Sequence, residues 1–514
     1  MKNLPKILYI VAFSLALLLF CYFRVKPLYF QTVPYTYDQG RDFLKAHQII
    51  TQLRPALLGP TTGIPGVNHG VWWYYVLTIP FLLFHGNPIG FYYFVFFMAL
   101  AQMVLFSLFL KKEYGRVASL LFMTPVALSP YFIRISLFAI NSVLVLPALL
   151  AAMYFFYKHL QQGKTTQLFL IGFFLSCIFE AEVAFGLFFI PAFFLAVLVT
   201  GRIKKLLGSK KHFLYFVSGA ILPVLPRIAF ELKSGFSQTH LTFSYFQQTS
   251  VQTAKTYLQV YYERAHLFRD FYLQFFPGTS YLMPIATLIF IAGGLICSIM
   301  FLKKNQRYFA IFSFVLFGLL FLISLAYKTV FWQNYFEGLP YFFALFVAFS
   351  AAAYLKSNKL MLKLVVVAYA VCILATAANA TFTEYKNTAS PKLEGLREHK
   401  FIADKIYSLA KGQKAVCVMI YTPPIIPYTY DYLFTYLNSE GKPFRGQGFV
   451  NQTCYLIIEK DDCRFLPIEV TEMKACLDRP NKWKKINVPK GTTVESTVKI
   501  NDHVKIEILK NKSL

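Results

Sequence analysis

Acidic residues are scarce in this chain: 24 Asp and Glu stand against 51 Lys and Arg in 514 residues. Charged residues of all kinds make up only 15%, against roughly 25% in an ordinary soluble domain, which excludes a water-soluble globular chain. No C-x-x-C and no His pair at ligand spacing occurs, which excludes the common zinc sites. Internal repeats and low-complexity tracts are also missing, and that argues against a transporter built from inverted repeats. No small-residue cleavage site follows the first apolar run, "ILYIVAFSLALLLFCYF", so an uncleaved signal-anchor helix is expected.

What is present is apolar. Hydrophobic residues make up 57% and aromatic residues 18%, with 56 Phe and 34 Tyr, and the mean hydropathy is +0.50. That is the composition of a membrane protein with aromatic belts. The net charge of +27 does not signal nucleic acid, because the basic residues lie in short clusters between apolar runs, where they set topology.

Apolar runs predict about eleven spans, near 6–23, 89–110, 116–135, 142–157, 167–180, 183–200, 213–230, 281–302, 308–327, 335–355 and 360–379. The run 71–84 is short for a span and is expected to lie in the membrane plane. With the N-terminus inside, the loops "KKEYGR", "KHLQQGK", "GRIKKLLGSKKH", "KKNQR" and "KSNK" then all face the cytoplasm, as the positive-inside rule requires. Residues 24–88 and everything after 380 fall on the opposite face. The chain is expected to divide into a membrane domain, 1–380, and a small soluble extracytoplasmic α/β domain, 381–514, with strands at "KAVCVMI", "CYLIIE" and "HVKIEIL". Four of the eight cysteines (Cys417, Cys454, Cys463 and Cys476) fall in that domain, where disulfides are permitted and three pairings are open.

Candidate site residues collect on the outer face. The stretch "YDQGRD" opens a helix expected over about 38–53, and its spacing puts Asp38 and Asp42 on one side with Arg41 beside them. Arg134, Arg227, Arg264 and Arg269 run against the positive-inside trend. Snorkelling explains any one of them, whereas several guanidinium groups beside aspartates suit a phosphate or diphosphate headgroup. His69 in "NHG" is either a substrate contact or a turn cap. Glu180 and Glu182 mark a hairpin tip that is either structural or binds sugar hydroxyls. Trp332, Tyr335 and Glu337 are candidates to line a lipid-facing entrance, and an aromatic belt explains the first two equally well.

The order of YDQGRD, "LLGPTTGIPG", "NHGVWWYY", "RISLFAINS", "FEAEVAFGLFFIPAF", "LPRIAFELKSGF" and "FWQNYFEGLPYFFAL" resembles the bacterial members of the GT-C glycosyltransferase superfamily, close to the protein mannosyltransferase and aminoarabinose transferase-like group. The resemblance covers about residues 5 to 380, with a weaker echo in "PPIIPYTYDYLFTYL". It implies a GT-C-like fold and a multi-pass plasma-membrane enzyme that takes a sugar from a polyprenyl-phosphate carrier and transfers it at the outer face. The acceptor is a protein, lipid or glycan, and the surrounding partners are membrane lipids.

In that family an acid in the first outer loop is catalytic, and Asp38 matches it. Many relatives carry an Asp-Glu pair there, where this chain has Asp38-Gln39, so Asp38 acts alone or with Asp42. A second acid common in the family is replaced by Asn141, which leaves a divalent cation as an option without an evident ligand set. On this reading Asp38 is the base, Asp42 orients Arg41 or the acceptor, and Arg134 and Arg227 contact phosphate. The competing readings are a lipid-linked glycan flippase or transporter and a glycan-assembly protein. A transporter needs charge at mid-bilayer, and these spans have almost none.

Overall fold

In the computed structural model, residues 4–252, 255–276, 282–328, 331–387, 392–423, 426–449, 452–461 and 476–511 are described. They show a polytopic helical membrane protein with a C-terminal mixed sheet. Among the described residues, seven helical segments are long and apolar enough to cross a bilayer by length and composition, and five shorter apolar helices accompany them, Trp72–Leu83 among them. The chain forms two compact units. One comprises Met1–Tyr29, Pro55–Val76 and Tyr92–Pro391; the other comprises Phe30–Arg54, Leu77–Phe91 and Lys392–Leu514. The loop 24–88 is therefore divided between them.

The helices in chain order are α1 Leu4–Phe30, α2 Tyr37–Thr51, α3 Trp72–Leu83, α4 Pro88–Tyr114, α5 Arg116–Leu128, α6 Pro130–Ile135, α7 Val145–Gln162, α8 Thr165–Ala181, α9 Val183–Val199, α10 Ile203–Leu207 and α11 Lys210–Lys233. They continue with α12 Ser237–Gln252, α13 Tyr257–Gln274, α14 Leu282–Phe301, α15 Lys304–Ser324, α16 Leu339–Lys356, α17 Leu360–Asn387, α18 Gly395–Leu409, α19 Tyr428–Ser439 and α20 Arg479–Asn487.

At the centre of the first unit is α16, "LPYFFALFVAFSAAAYLK", buried on every side from Leu339 to Tyr354, as expected of a helix that is apolar all round. Its small residues let neighbours approach closely: a Cβ on Gly294 of α14 would lie 2.0 Å from Ser350 Oγ. This is the small-residue packing of helices in lipid.

The same device sets α8 against α11. A Cβ on Gly172 would lie 2.2 Å from the Phe216 carbonyl oxygen, and one on Gly219 would lie 1.9 Å from the Phe169 carbonyl oxygen. The two glycines face each other's backbones reciprocally, so the helices touch with no side chain between them.

The span expected at 116–135 is two helices, α5 and α6, parted at Ser129–Pro130. Proline removes a backbone donor and bends the chain, so the last carbonyls of α5 need other partners. Arg24 supplies them. Fully buried, it donates from Nη1 to the Ala127 carbonyl at 2.9 Å, from Nη2 to the Val126 carbonyl at 3.0 Å and from Nε to Ser136 Oγ at 2.6 Å. Arg264, also buried, does similar work after α15, donating to the Tyr327 carbonyl at 2.7 Å.

In the second unit, strands β1 Ala415–Tyr421, β2 Phe444–Gly446, β3 Thr453–Glu459, β4 Thr492–Lys499 and β5 Val504–Asn511 form one sheet in the order β2-β1-β3-β5-β4. β1 pairs in parallel with β2 and β3, and β5 pairs antiparallel with β3 and β4. Successive side chains alternate faces. Val416, Val418 and Ile420 pack with Ile402, Ile406 and Leu433 of α18 and α19, whereas Cys417, Met419 and Tyr421 pack on the other face near Trp483. Burial on both faces explains why β1 and β3 read as unbroken apolar runs. Of the three open disulfide pairings, Cys417–Cys454 is formed and ties β1 to β3. Cys476 is also disulfide-bonded, and Cys463 lies outside the described residues.

We expect Gly219→Leu to destabilise the membrane unit by about 1–3 kcal/mol or more, because the new side chain meets backbone and not a flexible neighbour. Thermal unfolding in detergent checks this; an unchanged midpoint would mean that the glycine contact does not hold α8 to α11.

Candidate active site

Within the second unit, YDQGRD forms the first turn and a half of α2. Its Gln39 is a cap: the Thr36 backbone N–H donates to Gln39 Oε1 at 2.8 Å and the Thr36 hydroxyl does so at 2.6 Å, so the N3 side chain reaches back to the N-cap residue as in a capping box. A glutamine does this work as well as a glutamate, which gives the Asp38-Gln39 departure a local reason. Gly40 permits contact with α19, since a Cβ there would lie 2.4 Å from the Thr429 nitrogen and from the Tyr428 carbonyl carbon. The Tyr35 hydroxyl donates to the Thr429 carbonyl at 2.7 Å, and the rings of Tyr37 and Tyr428 lie 4.9 Å apart. The two quoted motifs YDQGRD and "PYTYDYLFTYL" are thus packed helices.

The two aspartates differ in their surroundings. The Asp42 side chain is completely buried, whereas that of Asp38 is 54% exposed. Arg41 bridges them, with Nε 2.8 Å from Asp42 Oδ1 and Nη1 3.1 Å from Asp38 Oδ1. The arrangement is a solvent-facing carboxylate beside a guanidinium whose orientation is set by a second, buried carboxylate.

The other candidates lie in the first unit, and five of them converge. The segment 59–70 folds back on itself, with the Gly59 N–H donating to the His69 carbonyl at 3.0 Å and the His69 N–H to the Pro60 carbonyl at 2.7 Å. Its end docks on the α8–α9 tip: the Gly70 N–H donates to the Glu180 carbonyl at 2.7 Å, and a Cβ on Gly70 would strike the Glu180 side chain at 2.0 Å. His69 Nδ1 accepts from the Val183 N–H at 3.3 Å, which leaves the proton of a neutral ring on Nε2, 3.9 Å from Glu182 Oε1. Asn141 Nδ2 donates to the Ala181 carbonyl at 2.7 Å.

Arg227 closes the group. Its Nε donates to Glu180 Oε1 at 2.7 Å and its Nη1 to the Asn68 carbonyl at 3.0 Å. Nη2 is buried with no hydrogen-bond partner among the described residues. The glycine contact explains the meeting. Glu180 and Arg227 both lie eight residues beyond the facing glycines (172 to 180, 219 to 227), about 12 Å along parallel helices at 1.5 Å per residue. Trp72 adds a further tie, donating from Nε1 to the Pro223 carbonyl at 2.6 Å.

Glu182 sits in the turn between α8 and α9, 1% exposed, with Oε1 lacking a hydrogen-bond partner among the described residues. It lines a cavity of about 250 Å³ shared with Thr62, Phe188, Tyr327 and Tyr335. Burial pushes its carboxyl up to about 8, against the pull of the Ala184 backbone N–H, and the nearby Glu337 carboxylate adds to the rise.

Arg134 stands apart from this group. It lies on α6, exposed, and donates from Nη2 to Gln274 Oε1 at 3.3 Å. Arg269 is paired with Asp270 and exposed. Glu337 is buried and accepts from the Tyr131 hydroxyl at 2.6 Å, while Trp332 is exposed. Among the described residues no group of three or more His, Cys, Asp and Glu is placed to hold a metal ion. Sequence reasoning missed the Asn68 carbonyl and Gly70, which act through backbone and leave no chemical signature.

No protein-family model matches the chain, and no curated protein matches it in sequence. Among solved structures it is similar to ArnT from Cupriavidus metallidurans bound to undecaprenyl phosphate, with a TM-score of 0.59 at 10% identity, over 99% of this chain and 98% of that one. The apo state of the same ArnT gives a TM-score of 0.59 at 10% identity, over 98% of each chain. The likeness spans both the helical part and the C-terminal sheet, and at this identity it establishes a shared fold.

The Glu180–Arg227 pair is nearly buried, with side-chain exposures of 2% and 13%. Removing one partner of such a pair strands the other, so we expect Arg227→Met to cost about 3–5 kcal/mol. Adding Glu180→Gln should recover part of that loss. Unfolding curves of both variants check it; a single variant within about 0.5 kcal/mol of wild type would contradict a structural role for the pair.

Proposed function

We propose that this chain is an integral membrane glycosyltransferase that takes a sugar from a polyprenyl-phosphate carrier and transfers it to an acceptor at the extracytoplasmic face. The observation that carries the reading is the ArnT fold over almost the whole chain, together with the fact that the ArnT in question binds undecaprenyl phosphate. The motif order described above points the same way, and the five basic loops on one side of the spans support the assignment of the opposite face.

The chemistry asks little of the protein. An acceptor hydroxyl attacks the anomeric carbon, the bond from that carbon to the phosphate oxygen breaks, and the carrier leaves as polyprenyl phosphate with the bonding pair. The attacking oxygen loses its proton to a base, and the leaving phosphate needs its charge stabilised. Asp38 is the proposed base, because it is exposed to an incoming acceptor while its neighbour is sealed. Asp42 is the proposed positioning group, acting through Arg41.

Arg134 is the proposed phosphate contact, with a single long hydrogen bond leaving most of its donors available. Arg227 is proposed to meet the donor through Nη2 while holding Glu180. Glu182 is proposed to meet sugar hydroxyls from the small cavity, where its free oxygen accepts and Tyr335 offers an aromatic face. His69 and Asn141 are proposed to keep this turn in place. A divalent cation enters no step of the proposal.

Asp38→Asn preserves shape and hydrogen bonding but cannot accept a proton, so turnover should fall by about 10²–10⁴ with carrier binding retained. Asp42→Asn should cost less, on the order of tenfold, because one charged hydrogen bond is weakened. Steady-state transfer rates measured alongside carrier binding decide the matter. Full activity in folded Asp38→Asn would remove this carboxylate from the mechanism.

A further inference from the structure

The membrane unit carries a second concavity at the end marked by its basic loops. A groove of about 700 Å³ runs between α4 and α7, from Met98 to Lys112 on one side and from Pro147 to Lys158 on the other, with Phe174 of α8 at its wall. At 1.5 Å per residue those stretches span about 16–21 Å, close to one leaflet of a hydrocarbon core roughly 30 Å thick. Apart from Gln102, Lys112 and Lys158 its lining is apolar and aromatic, so water has too few partners to fill it.

The groove ends at charge. Lys112 also lines an adjoining cleft of about 680 Å³, where Lys111, Lys303, Lys304 and Lys356 converge from three basic loops. Glu113 is the one acid in that cleft, and it is already engaged. It accepts from Lys158 Nζ at 2.9 Å, the Tyr157 hydroxyl at 2.9 Å and Gln161 Nε2 at 2.8 Å. Among the described residues Lys112 makes no ion pair. Topology alone accounts for basic loops, but it does not account for three of them closing one cleft over the mouth of an acyl-length groove.

We infer that this groove and cleft bind one anionic glycerophospholipid of the leaflet facing the basic loops, with an acyl chain along α4 and α7 and its phosphate among Lys112, Lys303 and Lys304. The combination has the form of an anionic headgroup site between spans. It is separate from the residues proposed for sugar transfer and does not depend on that function.

Native mass spectrometry of the full-length protein, titrated with dioleoyl phosphatidylglycerol, dioleoyl phosphatidylcholine or undecaprenyl phosphate, tests the inference. Phosphatidylglycerol should bind at least tenfold more tightly than phosphatidylcholine. Lys112→Gln should cut that preference roughly fivefold, at about 1 kcal/mol per lysine, and Lys112→Gln with Lys304→Gln should abolish it. Ala151→Trp or Ala101→Trp, each filling the groove, should weaken both phospholipids. Equal binding of the two phospholipids by the wild type overturns the proposal, as does an unchanged preference in a folded lysine variant. Displacement of phosphatidylglycerol by equimolar undecaprenyl phosphate would assign the groove to the carrier instead. Should the double variant fail to fold, the wild-type ratio and Lys112→Gln decide.

Discussion

The polar residues of the membrane unit are organised by one steric constraint, the glycine-to-backbone contact of α8 with α11. Two helices that touch backbone to backbone have a single workable register, because sliding either one drives a side chain into a carbonyl. That register brings Glu180 against Arg227. The ion pair in turn faces the segment 59–70, whose Asn68 carbonyl takes the second guanidinium nitrogen and whose Gly70 rests on Glu180. A buried pair of this kind is weak evidence for stability compared with an apolar substitute. Here its consequence is geometric, since it fixes where the α8–α9 turn presents Glu182. In the second unit Gly40 plays the equivalent part against α19, on the helix that carries the buried Asp42 and the exposed Asp38.

Much of this was legible in the sequence. Apolar runs marked the spans, unbroken apolar stretches marked β1 and β3, the alternating "HVKIEIL" marked β5, and YDQGRD announced the helix that carries Asp38. The motif order led to the fold that ArnT shares. Seven of the candidates drew notice as types out of place, acids where acid is rare and arginines on the face that should lack them; His69 and Asn141 were singled out from the NHG motif and the family resemblance.

The remainder depends on distance in space. Gly172 and Gly219 sit in ordinary apolar runs and carry no signal until the opposing carbonyl is known. Arg24 carries no signal in the sequence, and Arg264, read there among the outer arginines suited to phosphate, is instead buried; both cap helix ends that proline or chain reversal leaves open. The loop 231–280 contains α12 and α13, whose polar and aromatic sequences lack a clean period. β2 has three residues and β4 is largely exposed, so neither shows the apolar pattern that betrays a strand. The difference between Asp38 and Asp42, identical side chains one turn apart, exists only in the folded chain, where one is exposed and the other buried.

The most direct test of the central claim follows the carrier lipid itself. Purified protein in vesicles is given a panel of undecaprenyl-phosphate sugars with a membrane extract as acceptor source, and the lipid is monitored by mass spectrometry over time. The account predicts that at least one sugar is consumed, with undecaprenyl phosphate appearing in step with sugar on the acceptor. If every carrier stays intact across the panel, or crosses the bilayer with its sugar still attached, the transferase reading is contradicted and the ArnT fold serves some other purpose in this chain.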